Sequence, residues 1–299
     1  MHQFKITEAE AGQRLDRFLT KYLNNTTRTN VFKLIRKKLV RINGVRAKEN
    51  QMLNIDDLLE IKLHPNAVLE MMKEEDETQV SRSLNVEIVY EDDEILVVNK
   101  PSGLLTHPDK TEYKKTLTTY VQNYLRSSWT KTFKPACIQR LDKNTSGIVI
   151  FGKTYSALKK YNAFMRERKI EKYYQCVVHG NIDKAGEIKG YLAKNMDKNI
   201  VRLQKHQDAT HTKFVHTKYR PIEQKKNYTL LEVELLTGRS HQIRASLAFI
   251  GSPIVGDTKY NGRKIKGITT QILHAWRSCV DGREFICENP EIKQFWDKL

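Results

Sequence analysis

Apolar positions along the first sixty residues follow a helical period. Leu15, Phe18, Leu19, Tyr22 and Leu23 recur at i, i+3, i+4, i+7 and i+8, the buried stripe of an amphipathic helix. A second helix is predicted to start near Thr29, with Val31, Leu34 and Ile35 inward and Lys33, Arg36 and Lys37 outward. Residues 39–42 then read as a strand. Asn43-Gly44 reads as a tight hairpin turn, because both positions can take positive φ. Residues 56–61 read as another short strand. Further along the period changes. Residues 95–99 are a continuous apolar run that suits a buried strand, and Lys100-Pro101-Ser102-Gly103 must turn. Residues 148–151 are a second buried strand, and 173–178 and 228–235 carry strand propensity. Residues 240–250 fit a helix, with Ile243, Leu247 and Ile250 on one face and His241, Arg244 and Ala248 beside it. Residues 85–299 read as mixed strand and helix, and the expected class is α+β.

Between these patterns lies a stretch without one. His64-Pro65 marks a turn, and Glu70-Met71-Met72-Lys73-Glu74-Glu75-Asp76-Glu77 is acidic and aperiodic. The expected organisation is a small domain over 1–64, an acidic linker over 65–84 and a larger domain over 85–299. No internal repeat or low-complexity tract interrupts it.

Composition narrows the function. The chain has 299 residues, with 39% hydrophobic and 29% charged, enough apolar material to rule out a disordered chain. No run of 18 apolar residues is present, and residues 1–5 lack the apolar region of a secretory signal, so no membrane association and a cytoplasmic setting are expected. Cys137, Cys176, Cys279 and Cys287 form no CxxC pair, and the histidines show no ligand spacing, so neither a disulfide framework nor a metal site is expected. Lys and Arg number 52 against 35 Asp and Glu, a net charge of +17 that calls for a polyanionic partner. The charge is concentrated: Arg28, Lys33, Arg36, Lys37, Lys38, Arg41, Arg46 and Lys48 fall in one stretch without an acidic residue.

Three segments carry candidate chemistry. Arg140-Leu141-Asp142-Lys143-Asn144-Thr145-Ser146-Gly147 holds a carboxylate on a turn ahead of a buried strand, although an aspartate in a polar turn is most often a local cap. Leu236-Thr237-Gly238-Arg239-Ser240-His241-Gln242-Ile243-Arg244 supplies a glycine turn, a helix start and two arginines, which also suits a phosphate site or a solvated helix end. Lys172-Tyr173-Tyr174-Gln175-Cys176-Val177-Val178-His179-Gly180 is an alternating strand whose two tyrosines must differ in burial.

The order helix, helix, Asn-Gly hairpin, strand from Gly12-Gln13-Arg14-Leu15-Asp16 to Ile61 resembles the S4-type RNA-binding domain. Asp56 stands where that family often has glycine. The three segments above also occur in order with Glu91-Asp92-Asp93-Glu94 through Lys100-Pro101-Ser102-Gly103, with Gly251-Ser252-Pro253-Ile254-Val255-Gly256-Asp257 and with Leu273-His274-Ala275. That set resembles the RluA-type pseudouridine synthases, over about residues 86–290.

The resemblance implies an S4-like helix-helix-strand domain followed by a catalytic domain with a mixed, mainly antiparallel sheet flanked by helices. It implies isomerisation of specific uridines in RNA, expected in large-subunit ribosomal RNA, by a monomer needing no cofactor. A transfer-RNA enzyme of the same chemistry and an inactive RNA-binding assembly factor are the alternatives. Asp142 matches the family's essential aspartate, as nucleophile or base at the sugar. Arg244 is the implied positive partner of that carboxylate, with Arg239 as the second choice, and Tyr174 the ring against the target base. Leu273 is expected on the apolar side of the pocket and Arg140 in the gap left by the extracted uridine. Arg239 and Lys100 are implied phosphate contacts, Lys100 with a structural role as the other option, and Arg36 and Lys37 RNA contacts of the first domain. Gln139 stands where the family usually has histidine, which excludes acid–base chemistry there. His107, His241 and His274 are expected to support loops.

Overall fold

The computed structural model describes residues 1–72, 86–110, 112–195, 200–207 and 212–299. The N-terminal unit runs β1 (His2–Lys5), α1 (Leu15–Tyr22), α2 (Arg28–Arg36), β2 (Val40–Ile42), β3 (Val45–Arg46) and β4 (Leu58–Ile61). Its sheet has the order β1-β4-β2-β3. Leu15, Phe18, Leu19, Tyr22 and Leu23 are buried together with Val31, Leu34 and Ile35, as their spacing predicts. The Thr27 hydroxyl caps α2 by accepting the Asn30 N–H. Asn43 and Gly44 take φ of 52° and 77°, which makes β2 and β3 a two-residue hairpin. Asp56 also adopts positive φ, at 68°. Aspartate tolerates the left-handed region, so the turn survives without glycine there.

The boundary of this unit lies further along than residue 64. His64-Pro65 starts a helix, α3 (Pro65–Glu70), rather than ending the domain. Proline is at home in a first helical turn, where its missing N–H has no partner to lose, and the His64 ring accepts the Asn66 N–H as a cap. Val68 is fully buried in the N-terminal core, and the Asn25 side chain donates to the Glu70 carbonyl at 2.9 Å. The first eight residues expected as linker therefore pack with the first unit. Most of the remainder lies outside the described residues.

The larger unit contains β5 (Glu87–Glu91), β6 (Ile95–Lys100), α4 (Leu117–Tyr124), β7 (Ala136–Cys137), β8 (Ser146–Gly152), α5 (Tyr155–Arg166), β9 (Glu171–His179), β10 (Gly186–Asn195) and β11 (Ile200–Gln204). It continues with β12 (Lys213–Lys225), β13 (Tyr228–Leu235), α6 (Gln242–Phe249), β14 (Leu273–Val280), β15 (Arg283–Ile286) and α7 (Pro290–Asp297). One sheet runs β11-β10-β12-β13-β9-β14-β8-β6-β5, with β15 on β14 and β7 on β8. β14 and β8 pair in parallel, and the other strand pairs are antiparallel. The mixed, mainly antiparallel α+β architecture is the expected one.

Every residue of β8 is buried, because both faces of the sheet are covered here. Val149 and Phe151 share a cluster with Leu117 and Val121 of α4, and Ile148 and Ile150 share another with Ala157 and Tyr161 of α5. The continuous apolar run reports that double cover. At roughly 25 cal/mol per Å² of apolar area, each such side chain stabilises the fold by about 1.5–3 kcal/mol. β8 is thus a rigid mount for the loop that precedes it.

Candidate active site

The loop before β8 carries Asp142, and its backbone is tied from several sides. The Lys100 ammonium is completely buried and donates to the carbonyls of Lys143 (2.9 Å), Leu104 (2.7 Å) and Pro101 (3.0 Å). Burial pulls its pKa down to about 7, while the charge of Asp142 pulls the other way. Three carbonyls use all three N–H groups of an ammonium, which favours the charged form. Lys100 is therefore a clasp between two loops, and the expected phosphate contact is corrected: no solvent-facing atom remains to make one. Ser102 donates to the Asn144 carbonyl at 3.0 Å, and Thr106 both donates to the Leu141 carbonyl (2.9 Å) and accepts its N–H (3.2 Å). Gly147, at φ 113°, passes so close to β14 that a Cβ would lie 2.2 Å from the Ala275 carbonyl oxygen. Only glycine allows that approach.

Asp142 is one-quarter exposed and accepts from Arg244 Nη1 at 3.1 Å. Arg244 is 8% exposed and projects from α6. Its other edge is held by Asp257, with Nε to Oδ2 at 2.7 Å and Nη2 to Oδ1 at 2.8 Å. That fork-to-fork pair fixes the guanidinium plane and leaves Nη1 free to aim at Asp142. Burial opposes the charge of Arg244, and the two carboxylates outweigh it, so its pKa stands above the usual arginine value. The Tyr260 ring lies under the guanidinium at 5.0 Å. Its hydroxyl accepts the Val201 N–H (3.0 Å) and meets His241 Nδ1 at 2.9 Å. His241 Nε2 is 3.7 Å from Asp142, beyond hydrogen-bond range. Burial, with Arg244 and Lys259, lowers the His241 pKa against the pull of Asp142 and Asp257.

The start of α6 is unusual. His241 takes left-handed φ (55°) at the N-cap and offers no side-chain cap. Gln242 supplies the missing contacts instead. Its Oε1 accepts from Thr237 and from the Arg239 N–H, and its Nε2 donates to the His216 carbonyl and to Thr217. A fully satisfied amide thereby sets the turn that delivers Arg244.

These groups surround one cavity of about 340 Å³, which has room for one nucleoside and none for a paired duplex. Asp142, Arg244, Tyr174, Leu273, Arg140 and Arg239 all line it. Tyr174 is buried and Tyr173 half-buried, on opposite faces of β9. Tyr173 lies instead under the Arg277 guanidinium at 3.8 Å. Burial, then Asp142, raises the Tyr174 pKa, which keeps the phenol neutral. Arg140 is exposed, with Nη2 at 3.5 Å from the Ser240 hydroxyl, and Arg239, the residue before Ser240, is exposed as well. Gln139 also lines the cavity, and its Oε1 is buried without a hydrogen-bond partner. Arg36 and Lys37 are exposed at the end of α2, apart from the cavity lining.

Asp257, Gln242, Tyr260 and Thr106 were not among the expected site residues. Asp257 lies in the quoted Gly251–Asp257 motif, but no local pattern shows that its carboxylate turns back to an arginine thirteen residues earlier. The three histidines sit in supporting bonds. His107 meets Thr118 (3.1 Å) and Cys137 (3.0 Å), and His274 meets Ser146 (2.8 Å) and the Cys287 carbonyl (2.9 Å). Among the described residues no group of three or more His, Cys, Asp or Glu side chains could hold a metal ion, and no helix is long and apolar enough to cross a membrane.

Comparison with known proteins follows this geometry. The family model described as RNA pseudouridylate synthase matches residues 94–249, and that of the S4 domain matches residues 13–59. The chain is 32% identical over 272 residues to ribosomal large subunit pseudouridine synthase C of Vibrio cholerae, covering 89% of this chain and 82% of that protein. It is 30% identical to an RNA pseudouridine synthase of Bacillus subtilis, covering 92% and 88%. Among solved structures, human RNA pseudouridylate synthase domain containing 4 shares the fold with a TM-score of 0.58 at 21% identity, over 69% of this chain and 89% of that one.

Proposed function

The chain belongs to the RNA pseudouridylate synthase family, with an S4 domain at its N-terminus, and from that premise we propose that it converts specific uridines of large-subunit ribosomal RNA to pseudouridine through Asp142. The observation that carries the reading is the Asp142–Arg244–Asp257 chain at one end of a nucleoside-sized cavity floored by Tyr174. The substrate class rests on the relatives named for the ribosomal large subunit and on the basic first domain.

The reaction is an isomerisation. The bond from the ribose C1′ to N1 of uracil breaks, and a bond from C1′ to C5 forms. The proton at C5 leaves and N1 of the rotated ring gains one. No electron is gained or lost. Asp142 acts at the sugar or the ring as nucleophile or base. Arg244, held rigid by Asp257, keeps that carboxylate aimed. The Tyr174 ring and Leu273 hold the detached uracil by stacking and apolar contact while it turns. Extraction of the uridine from its stack costs a few kcal/mol, and the exposed Arg140 is suited to fill the space it leaves. Arg239, exposed beside Ser240, adds a second positive charge for the strand. Four free thiols accord with a reducing, cytoplasmic setting.

The test is tritium release from RNA labelled at C5 of uridine. Unmodified large-subunit ribosomal RNA is expected to release label with the wild-type protein, and transfer RNA is not. Asp142→Asn is expected to abolish release while leaving RNA affinity within a few-fold. Full activity in that variant would sink the assignment, and release from transfer RNA alone would overturn the substrate class.

A further inference from the structure

The cavity is also lined by two residues that the chemistry at Asp142 leaves unused. They are Met165, near the close of α5, and Lys172, on β9. Lys172 stands two residues before Tyr174, so both point to the same face of the sheet. It is half-buried, and its ammonium reaches the Met165 sulfur at 3.8 Å and no carboxylate among the described residues. Arg168 follows α5 at a left-handed φ of 59° and also lacks an acidic partner among the described residues. The nearby acids are turned elsewhere: Glu167 pairs with Lys169 at 2.7 Å, and Glu171 accepts the Tyr173 hydroxyl at 2.9 Å. Burial lowers the Lys172 pKa, and repulsion from Arg168 lowers it further. The C-terminal end of α5 favours positive charge, which accounts for Arg166 and Arg168. It does not account for a desolvated, unpaired cation on a strand beside the base-stacking tyrosine, an arrangement that costs stability until an anion arrives.

We propose that Lys172, with Arg168 behind it, binds a phosphate of the RNA strand next to the uridine held against Tyr174. This rests on the uridine-isomerase reading. A nucleotide drawn into the cavity brings its phosphodiester to the rim, and a compact ammonium suits a phosphate oxygen as a point charge. Lys172 is then a positioning residue, anchoring the strand while Asp142 acts on the sugar and base.

The test compares Lys172→Met, Lys172→Arg and Arg168→Asn with wild type, on transcripts of unmodified large-subunit ribosomal RNA. Methionine keeps the length and burial of the side chain without its charge, and asparagine tolerates the left-handed backbone at 168. Lys172→Met is expected to raise both KM and the filter-binding Kd about tenfold with a much smaller change in kcat. It should reduce the slope of log affinity against log salt by a little under one. Lys172→Arg should stay near wild type in both, and Arg168→Asn should shift in the same direction by less. An unchanged melting temperature shows that Lys172→Met folds. Unchanged KM and salt slope in Lys172→Met overturn the proposal, and so does a loss confined to kcat, which would place the lysine at the reacting base. If wild type releases no tritium, the isomerase reading falls, and the Kd and salt slope still report on Lys172 as a phosphate contact.

Discussion

At the scale of single residues, the site is held by pairs rather than by isolated groups. Arg244 turns Nη1 to Asp142 because Asp257 takes the edge formed by Nε and Nη2. Asp257→Asn keeps one acceptor and loses the charge, so the guanidinium is expected to swing. A displacement near 1 Å at reacting groups costs on the order of a hundredfold. We therefore expect kcat to fall about ten- to a hundredfold with RNA affinity nearly unchanged, read by tritium release beside filter binding; full kcat would show that Asp257 holds nothing that matters. His274 makes a different kind of prediction. Burial pushes its pKa down to about 4, from an unfolded value of 6.5. Between those values the unfolded chain takes up a proton that the folded ring refuses. Its contribution to stability is thus complete above about pH 6.5 and is lost as pH falls toward 4, with a slope of at most about 1.4 kcal/mol per pH unit. Urea titrations across that window should show the slope in wild type and a shallower one in His274→Gln. Equal slopes would assign the acid sensitivity to other groups.

At the scale of elements, much was legible and some was not, for physical reasons. The N-terminal helices were readable because their buried stripe repeats every turn, and β8 because a strand covered on both faces is apolar throughout. The helical nature of residues 65–70 was hidden by a His-Pro pair that equally suits a turn, and Val68 is the one side chain of the helix that is buried. Asp142, Arg244 and Tyr174 were legible through family motifs, and they do line one cavity. Lys100 left a phosphate contact and a structural role both open, because nothing in its neighbours announces three carbonyls converging on it. Asp257 and Gln242 act across gaps that one strand or helix cannot display. Gly147 is the element-scale position whose role is most easily tested. An added methyl meets the β14 backbone at both Ala275 O and Ala275 N, at 2.2 and 2.6 Å, with φ at 113°. Gly147→Ala is expected to cost several kcal/mol and to lower the melting temperature by more than about 5 °C, with activity lost as β8 and β14 part. A variant as stable as wild type would contradict the close approach.

For the whole molecule, the two units divide the work. The first presents Arg36 and Lys37 on an exposed helix end, and the second encloses the chemistry. They touch through the Gln13 amide and the Thr132 hydroxyl at 3.4 Å, and through Lys131 against the Tyr22 ring at 5.6 Å. Arg36→Glu with Lys37→Glu is expected to weaken RNA binding at least tenfold and flatten its salt dependence, with kcat at saturating RNA close to wild type. A fall in kcat with no change in affinity would mean that the first unit shapes the cavity instead. The parallel β14–β8 pair has a consequence in time. His274 lies against Ser146 across 128 positions of chain, and the Asp142 loop has no far wall until that contact forms. Contacts so distant along the chain form late in folding. During synthesis the aspartate emerges well before Arg244, Asp257 and β14, which complete its surroundings. The nascent chain therefore stays catalytically silent until β14 is released.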